Sequence, residues 1–359
     1  MTDPTPLLAA GSGDPVPGPE AASAVSGPTG SPAAGPWRTA LRTLVRNKVA
    51  VGSFVVLVVI VLACLLAPVY AGSVADTDAF ASNVNGTTVV DGRQVPLLEQ
   101  SSEGLGLGVT PIGPTWDPAH YLFGADNQGR DVAARLLYGG RNSLLIGFTS
   151  AVLCCLLAAL VGIVAGYFGG VVDGVLSRFL DVLWAFPVYL LAISLSIVLL
   201  TGGLTIGPVT IESGSLLLPI VILAVVYVPY VARPVRGQVL TLREKEFIQA
   251  AVGSGAGDGR IMLREVLPNV LPALIVFLPL MTSICMLTES ALSFLSIGVQ
   301  PPDASWGTII NDGLGLLYTR PAVALVPGVA IAVTAVALNL LGDGVRDALD
   351  PRARIRGEA

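Results

Sequence analysis

Six long stretches of the chain contain no charged residue. They cover residues 49–75, 142–172, 182–211, 213–232, 266–288 and 321–342. Each contains an apolar core of about 20 residues, the length that an α-helix needs to cross the ~30 Å hydrocarbon layer of a bilayer. The pattern predicts an all-α membrane protein with six transmembrane helices.

The polar segments between these stretches predict how the chain is divided. The predicted regions are a disordered Pro/Gly-rich cytoplasmic tail (1–36), a basic flank with the first transmembrane helix (37–75), an extracytoplasmic segment (76–141), a core with five transmembrane helices and a cytoplasmic loop at 233–265 (142–351), and a cytoplasmic tail (352–359). The first 36 residues include eight prolines and six glycines. Such a segment buries too little apolar surface to offset the entropy of ordering.

The basic flank before the first span has its own pattern. Arg38, Arg42 and Arg46 recur at i, i+4 and i+8, so they share a helix face that suits an anionic inner leaflet. An alternative interpretation is a signal peptide cleaved near Val69-Tyr70-Ala71. The apolar run is too long and the preceding tail too extended for an ordinary signal peptide, which favours a retained helix.

Shorter patterns predict local structure between the spans. Residues 87–95 alternate in polarity around Asp91-Gly92, which predicts a β-hairpin. Residues 126–141 predict an amphipathic helix along the membrane surface that leads into the second span.

The region before the third span predicts a short helix and a kink. Asp173, Arg178 and Asp181 are spaced for local ion pairs on a short cytoplasmic helix. Phe186-Pro187 then predicts a proline kink near the start of the span.

The composition indicates a membrane protein, and the distribution of basic residues indicates its orientation in the membrane. The chain is 53% apolar and only 13% charged, which excludes a single soluble globule of 359 residues. Six spans put both termini on one side, and 15 of the 20 basic residues fall in the segments of that side. The positive-inside rule therefore places both termini in the cytoplasm. The net charge of −5 comes from acidic outer loops and indicates no acidic or nucleic-acid partner.

The residue types available exclude most catalytic chemistry. All four cysteines lie in predicted spans and the single histidine, His120, lies in an outer loop, so we expect apolar packing and no metal site. Neither Lys48 nor Lys245 belongs to a phosphate-binding P-loop, and no hydrolase or dinucleotide motif is present. We expect no catalytic residue, so uphill transport would draw on a partner or an ion gradient.

The 233–265 loop is the most structured polar segment. Strong helix formers lead to Gly253 and Gly255, which predict a glycine C-cap. A second helix is predicted from Asp258, as N-cap, to Val266, ending before Pro268. These elements predict a protruding helical hairpin, with an ordinary solvated connection as the alternative.

One carboxylate, Glu289, lies near the outer end of the fifth span. A charge within the bilayer costs about 2.5–3.5 kcal/mol on insertion scales, so the side chain should face protein or water. It is a candidate for the translocation pathway. The alternative is a structural hydrogen bond that holds a re-entrant stretch at 289–300.

The 246–269 segment resembles the "EAA" loop of ABC importer permeases, a pattern of Glu-Ala-Ala, three residues, Gly, and a later Leu-Pro. Ala250, Ala251, Gly255, Leu267 and Pro268 match it in type and spacing. Further blocks resemble the second (C-type) permease of the peptide/nickel branch: Phe123 to Asp131, Leu136 to Gly140, Gly166 to Gly170, Phe186-Pro187, Ser293 to Leu295, Gly298 to Pro302, Ser305 to Gly307 and Asn339 to Pro351.

The resemblance implies a type I ABC importer permease in the bacterial cytoplasmic membrane. Its implied partners are a homologous permease, two ABC ATPases that bind ATP and Mg²⁺, and an extracytoplasmic binding protein, with no cofactor in this chain. The ATPase-coupling residues would be Glu246, Gln249, Ala250, Ala251, Gly255, Leu267 and Pro268. Gln249 replaces the leading Glu of the motif and carries no charge for an ion pair with the ATPase. Glu265 is a second departure, at a position that is often apolar or His in such proteins.

The implied cargo is di- or oligopeptides, with nickel or another small solute as the alternative. The Pro-rich tail and an 87–118 insertion lie beyond the family pattern. A stand-alone secondary transporter is the rival class, but it would need intramembrane charges in several spans, and Glu289 is essentially the only one.

Overall fold

The computed structural model describes residues 36–90, 92–100 and 108–349. The predicted tails therefore lie almost wholly outside the described residues. Within these ranges the helices are α1 (Pro36–Arg46), α2 (Lys48–Leu65), α3 (Ala67–Val69), α4 (Val132–Phe168), α5 (Gly170–Ala185), α6 (Val188–Gly202), α7 (Leu217–Arg243), α8 (Glu246–Gly253), α9 (Asp258–Ile261), α10 (Leu267–Phe294), α11 (Trp306–Gly313) and α12 (Ala322–Leu349). The strands are β1 (Thr87–Val90), β2 (Arg93–Pro96), β3 (Leu98–Gln100), β4 (Val109–Pro111), β5 (Leu204–Ile206) and β6 (Val209–Ile211).

Five helical segments of the described chain are long and apolar enough to cross a membrane. They are α2, α4, α7, α12 and the continuous segment Asp258–Phe294, which joins α9 to α10 through a π-helical turn at Met262–Val266. The protein is therefore a helical membrane protein, as the charge-free stretches predict.

The predicted third span, 182–211, differs from the others because it is not one straight helix. α5 and α6 meet at an angle of 90°, and the bend falls at Phe186-Pro187. Phe186 has an extended backbone (ψ 137°), the conformation that a following proline imposes, so α5 ends there. The proline interruption is confirmed, and it breaks the helix instead of bending it gently.

The helices α4 and α7 pack closely and run in the same direction. A Cβ atom placed on Gly162 would lie 2.9 Å from the carbonyl oxygen of Ala232, and one on Gly166 would lie 3.0 Å from that of Arg236. A step of four residues along α4, from Gly162 to Gly166, corresponds to a step of four residues in the same direction along α7, from Ala232 to Arg236. The two helices are therefore parallel. Small residues at these positions allow the backbones to approach, as is usual for helices packed within membranes.

The other long helices are antiparallel neighbours. Ser143 of α4 donates a hydrogen bond to Glu289 of α10, whereas Gly147, later in α4, packs on Thr282 and Met286, earlier in α10. The two helices are therefore antiparallel.

α10 pairs in the same way with α12, and α12 pairs with α2. Asn339 bonds Ser283, and Gly342 packs on Pro279. Gly344 lies against Ala50 at the start of α2. Leu57, further along α2, clusters with Ala337 and Leu338, earlier in α12.

The segment between α3 and α4 contains two hairpins. β1 pairs with β2 in antiparallel register, and Gly92 at their turn has a φ of 75°, which confirms the predicted hairpin. Asp91 itself lies outside the described residues. β3 pairs with β4 in a second hairpin.

The predicted helix at 126–141 is confirmed from Val132 onwards, where it leads directly into the second span, but residues 126–131 are not helical and this described segment contains no separate surface helix. Residues 126–131 form a turn in which Asp126 accepts hydrogen bonds from the backbone N–H groups of Gln128 and Arg130. α4 begins at Val132 because the Asp131 side chain caps it through the N–H of Ala133, and it continues unbroken to Phe168.

The predicted local ion pairs of the 173–181 helix are also wrong. Asp173 binds Arg236 through two hydrogen bonds, one of them 2.6 Å long, and Asp181 binds Arg233 at 2.8 Å. Both arginines belong to α7. Residues five apart lie about 140° apart around a helix, so Arg178 faces away from Asp173, and α7 offers the nearer partner.

Candidate functional site

The predicted helical hairpin exists and comprises α8, a glycine turn and α9. α8 ends in a Schellman motif. The N–H of Gly255 donates to the Val252 carbonyl, the N–H of Ala256 donates to that of Ala251, and Gly255 has a φ of 77°. A glycine is therefore required at 255 by the backbone conformation, as the sequence predicts. We call residues 246–266 the helical hairpin.

A few buried aliphatic side chains attach the helical hairpin to the membrane-embedded core. Ile248 of α8, Ile261 of α9 and Val266 are all at most 2% exposed and belong to the main hydrophobic cluster. The Tyr167 hydroxyl, at the end of α4, donates to Asp258 at 2.8 Å. The helical hairpin is thus in contact with the spans and would transmit a displacement to them.

The outer face of the helical hairpin is exposed and partly apolar. Phe247 is 41% exposed, Val252 56% and Leu263 67%. Ala250 and Gln249 are also exposed, and the Gln249 amide donates to the Glu244 carbonyl at 3.3 Å. A soluble partner could therefore cover this face without any rearrangement of the core.

The predicted coupling residues fall into two places. Glu246, Gln249, Ala250 and Gly255 are exposed on the helical hairpin, whereas Ala251 is half-buried against the core. Leu267 and Pro268 open α10. A groove of about 420 Å³ separates the hairpin from the end of α4, and Arg243 and Gln249 line it.

Two details of the second helix differ from the sequence prediction. Gly257, not Asp258, is the N-cap of α9. The helix does not end before Pro268, because in the π-helical turn the Leu267 N–H donates to the Met262 carbonyl, and Pro268 follows at the start of α10, where an N–H is dispensable.

Glu289 is completely buried inside this chain and accepts hydrogen bonds from three serines. Ser143 donates at 2.9 Å, Ser293 at 2.6 Å and Ser290 at 3.3 Å. Every one of these donors is a neutral hydroxyl. The geometry supports the structural interpretation, in which the carboxylate satisfies its lone pairs within the protein.

The same serines bind the backbone that follows α10. The Ser293 oxygen accepts the Val299 N–H at 2.9 Å, and the Ser143 oxygen accepts the Trp306 N–H at 3.1 Å. Glu289 therefore fixes α4, α10, the 295–305 loop and the first turn of α11 relative to one another. We call Glu289, Ser143 and Ser293 the carboxylate–serine cluster.

A four-residue charge cluster lies beside the start of α4, and sequence analysis missed it. Arg130 binds Asp126 at 2.7 Å and Asp312 at 3.1 Å, and Arg135 binds Asp312 at 2.8 Å. Burial raises the pKa of Asp312, and that of neighbouring Asp131 to about 6. The four-residue Asp126–Arg130 spacing signals the local pair, but nothing in the sequence indicates Asp312.

The chain matches two family models. Residues 158–355, more than half of the chain, match the binding-protein-dependent transport system inner membrane component. Residues 35–85 match the N-terminal TM domain of oligopeptide transport permease C.

Individual proteins are similar over most of their length. A putative peptide transport system permease protein of Brucella suis biovar 1 is 39% identical, over 89% of this chain and 93% of the relative. The oligopeptide transport system permease protein OppC of Escherichia coli K12 is 35% identical, over 89% of this chain and 92% of the relative. Among solved structures, an inward-facing MetNI methionine ABC transporter covers 60% of this chain and 96% of its own, with 19% identity and a TM-score of 0.47.

Proposed function

The chain belongs to the family of binding-protein-dependent transport system inner membrane components, and on that premise we propose that it carries di- or oligopeptides into the cell by alternating access. It is the multi-pass permease subunit of an ABC importer and not an enzyme. The observation that carries the proposal is the helical hairpin, which is exposed on one side and anchored in the spans on the other.

We propose six crossings in a type I permease fold, with both termini in the cytoplasm. The helix directions support this number. Since α4 and α7 are parallel, the α5–α6 pair between them must return the chain to the other side of the membrane. The pairs α2/α12, α12/α10 and α10/α4 are antiparallel. Since α2 and α12 cross in opposite directions, both termini lie on the same side of the membrane. Most basic residues fall in the segments on the same side as the two termini, which supports a cytoplasmic location for both termini.

In this arrangement the helical hairpin faces the cytoplasm, where two ABC ATPases would dock. ATP and Mg²⁺ would bind to those subunits. Closure of the ATPases would push on α8 and, through Ile248, Ile261 and the Tyr167–Asp258 hydrogen bond, on α4 and α10. The result is a two-state membrane element biased by a ligand bound to another subunit.

Gln249 changes how docking works at this face. Its neutral amide cannot form the ion pair that the leading Glu of the motif offers, so we propose that apolar contacts to Phe247, Val252 and Leu263 dominate the docking energy. The remaining partners are a homologous permease subunit and an extracytoplasmic solute-binding protein in the bacterial cytoplasmic membrane system.

Reconstitution of the full complex in proteoliposomes tests this function. We expect uptake of labelled peptide that requires ATP on the helical-hairpin side and the binding protein on the other side. Peptide uptake driven by an ion gradient without ATP would instead identify a secondary transporter. Titration of the cognate binding protein with peptides of two to five residues and with nickel complexes decides between the peptide cargo and the small-solute alternative.

A further inference from the structure

A groove of about 500 Å³ runs between α2 and α12 on the surface of the spans. Apart from Lys48 and Ser53, its lining is apolar. Several of the lining side chains are substantially exposed, including Val56 at 39%, Val333 at 43% and Val336 at 58%. The groove is apolar and open along one side of the chain, which suits an acyl chain.

One cationic side chain lines the groove at one end, and three more belong to the helix that directly precedes it. Lys48 lies at its mouth, at the first residue of α2. α1 ends directly before it, separated by Asn47, which caps α2 by accepting the N–H groups of Val49 and Ala50. The C-terminal end of α1 therefore adjoins the Lys48 end of the groove.

The faces of α1 are divided as in a helix that lies in the membrane interface. Ala40 is buried, and Leu44 is half-buried towards Gly344 of α12. Leu41 and Val45, on the neighbouring flank, are 62% and 65% exposed. The third face holds exposed arginines at i, i+4 and i+8: Arg38, Arg42 and Arg46.

These cations have no acidic partner within the described part of the chain. No ion pair there involves Arg38, Arg42, Arg46 or Lys48, and α1 itself contains no Asp or Glu. A lysine at the end of an apolar groove, followed by three arginines along the adjoining helix, complements a ligand with a negative head and an apolar tail. Each cation near an anionic membrane surface contributes on the order of 1 kcal/mol.

We propose that α1 and the α2–α12 groove form a binding site for an anionic phospholipid. One acyl chain lies in the groove against Gly52 and Val336. The phosphate is bound by Lys48 and the arginine face of α1, while Leu41 and Val45 enter the interface. The proposal does not depend on the cargo or on the ATPases.

Lipid competition on the purified importer complex tests the site. The complex is delipidated in detergent and mixed with equal amounts of phosphatidylglycerol and phosphatidylcholine, and the bound lipids are counted by native mass spectrometry. We expect retained phosphatidylglycerol to exceed phosphatidylcholine on the order of a hundredfold, and each arginine removed to weaken its binding about fivefold. Equal retention of the two lipids by the wild-type complex would overturn the proposal.

Charge variants separate the head-group contact from folding. Arg38→Gln/Arg42→Gln/Arg46→Gln should lose the preference for phosphatidylglycerol, whereas the corresponding triple Lys variant should keep it. Arg93→Gln, which removes an exposed arginine from β2, is the matched control and should bind as the wild type does. A triple Gln variant that retains phosphatidylglycerol fully would contradict the site.

A second pair of variants tests the groove. Among the described residues, a Cβ placed on Gly52 meets no atom of another element within 4 Å, so Gly52→Leu adds an apolar side chain to the groove and should lower lipid retention. Gly328→Leu, equally unobstructed but outside the groove, is its control. If a cysteine at Gly52 cross-links efficiently to the partner permease in the intact complex, the groove is a protein interface and the lipid assignment fails.

Discussion

At the scale of single residues, Glu289 is the position whose interpretation the structure changes most. A carboxylate in an apolar span predicts either a pathway residue or a buried hydrogen-bond acceptor, and the sequence favours neither strongly. Its burial depends on Ser143, 146 residues earlier in the chain, and no local pattern predicts that contact.

The carboxylate–serine cluster predicts a stability defect for Glu289→Ala. The substitution leaves the Ser143 and Ser293 hydroxyls without their acceptor and opens a cavity, so it should cost about 2–5 kcal/mol and lower the amount of folded protein. Glu289→Gln keeps the volume and one acceptor oxygen, so it should cost about 1–2 kcal/mol. Membrane abundance and the thermal midpoint in detergent measure both effects.

Ser290→Ala is a suitable control for this pair because its hydroxyl makes the longest bond to Glu289, at 3.3 Å. It should change the thermal midpoint least. If Glu289→Ala were normally abundant and stable but failed in peptide uptake, the translocation-pathway prediction would be supported instead.

Asp131 predicts a pH-dependent stability in the segment between α3 and α4. Burial raises its pKa from 3.8 to about 6. The folded state then binds more protons than the unfolded state between pH 4 and 6, so the local stability falls as the pH rises through that range and stays low above it. A pKa that differs by about two between the folded and unfolded states corresponds to roughly 3 kcal/mol of stability.

Asp131→Asn removes the ionisation while keeping a good N-cap residue. Hydrogen exchange of residues 76–90 and 108–131 should show greater protection in the variant than in the wild type above pH 6, and equal protection near pH 4. Comparing the two proteins at the same pH removes the intrinsic pH dependence of exchange. Equal protection at pH 8 would rule out a buried, charged Asp131.

At the scale of secondary-structure elements, the helical hairpin was the most predictable part of the candidate site. Its glycine turn is a local feature, and local features are encoded by neighbouring residues. The ends of its second helix were not predictable, because a π-helical turn joins α9 to α10 and admits Pro268 without a break. The ion pairs of α5 failed for a related reason, since α7 supplies the arginines from more than 50 residues away.

Gly255→Val should uncouple ATP hydrolysis from transport. Valine is disfavoured at a φ of 77°, at a cost of roughly 1–3 kcal/mol, so the Schellman turn should open and α8 should lose its fixed position. We expect insertion and basal ATP hydrolysis to persist while peptide uptake falls at least about tenfold, a loss that corresponds to 1.4 kcal/mol. Both rates are measured on the same proteoliposomes.

Gly253→Val provides the matched control for the turn. Gly253 is the last residue of α8, its φ is not positive, and a Cβ there meets no atom of another element within 4 Å in the described part of the chain. This variant should therefore transport nearly as well as the wild type. Normal coupling by a stably inserted Gly255→Val complex would remove the turn from the proposed mechanism.

At the scale of the whole molecule, the distribution of charge predicts the membrane-spanning segments well and their packing poorly. The charge-free stretches locate the long helices because the bilayer imposes the same requirement on each of them. The close parallel packing of α4 and α7 depends on Gly162 and Gly166 meeting a helix about 70 residues further along, which hydropathy does not encode. That packing helps to decide the number of crossings, because length and composition alone do not show whether the bent α5–α6 pair crosses the membrane.

The crossing of the α5–α6 pair can be tested with single cysteines. Cys64, Cys154, Cys155 and Cys285 are all buried, so their replacement by alanine should give a folded background with little labelling. Thr205→Cys, between α6 and α7, and Tyr318→Cys, before α12, should react with a membrane-impermeant maleimide from outside the cell, since both positions are exposed. Ser254→Cys, in the helical hairpin, should react only after the membrane is opened, because α7 carries the chain back across the bilayer. If Thr205→Cys and Trp116→Cys, an exposed position before α4, were labelled from opposite sides of the membrane, α5–α6 would be a re-entrant pair, and the parallel packing of α4 and α7 could not be accommodated.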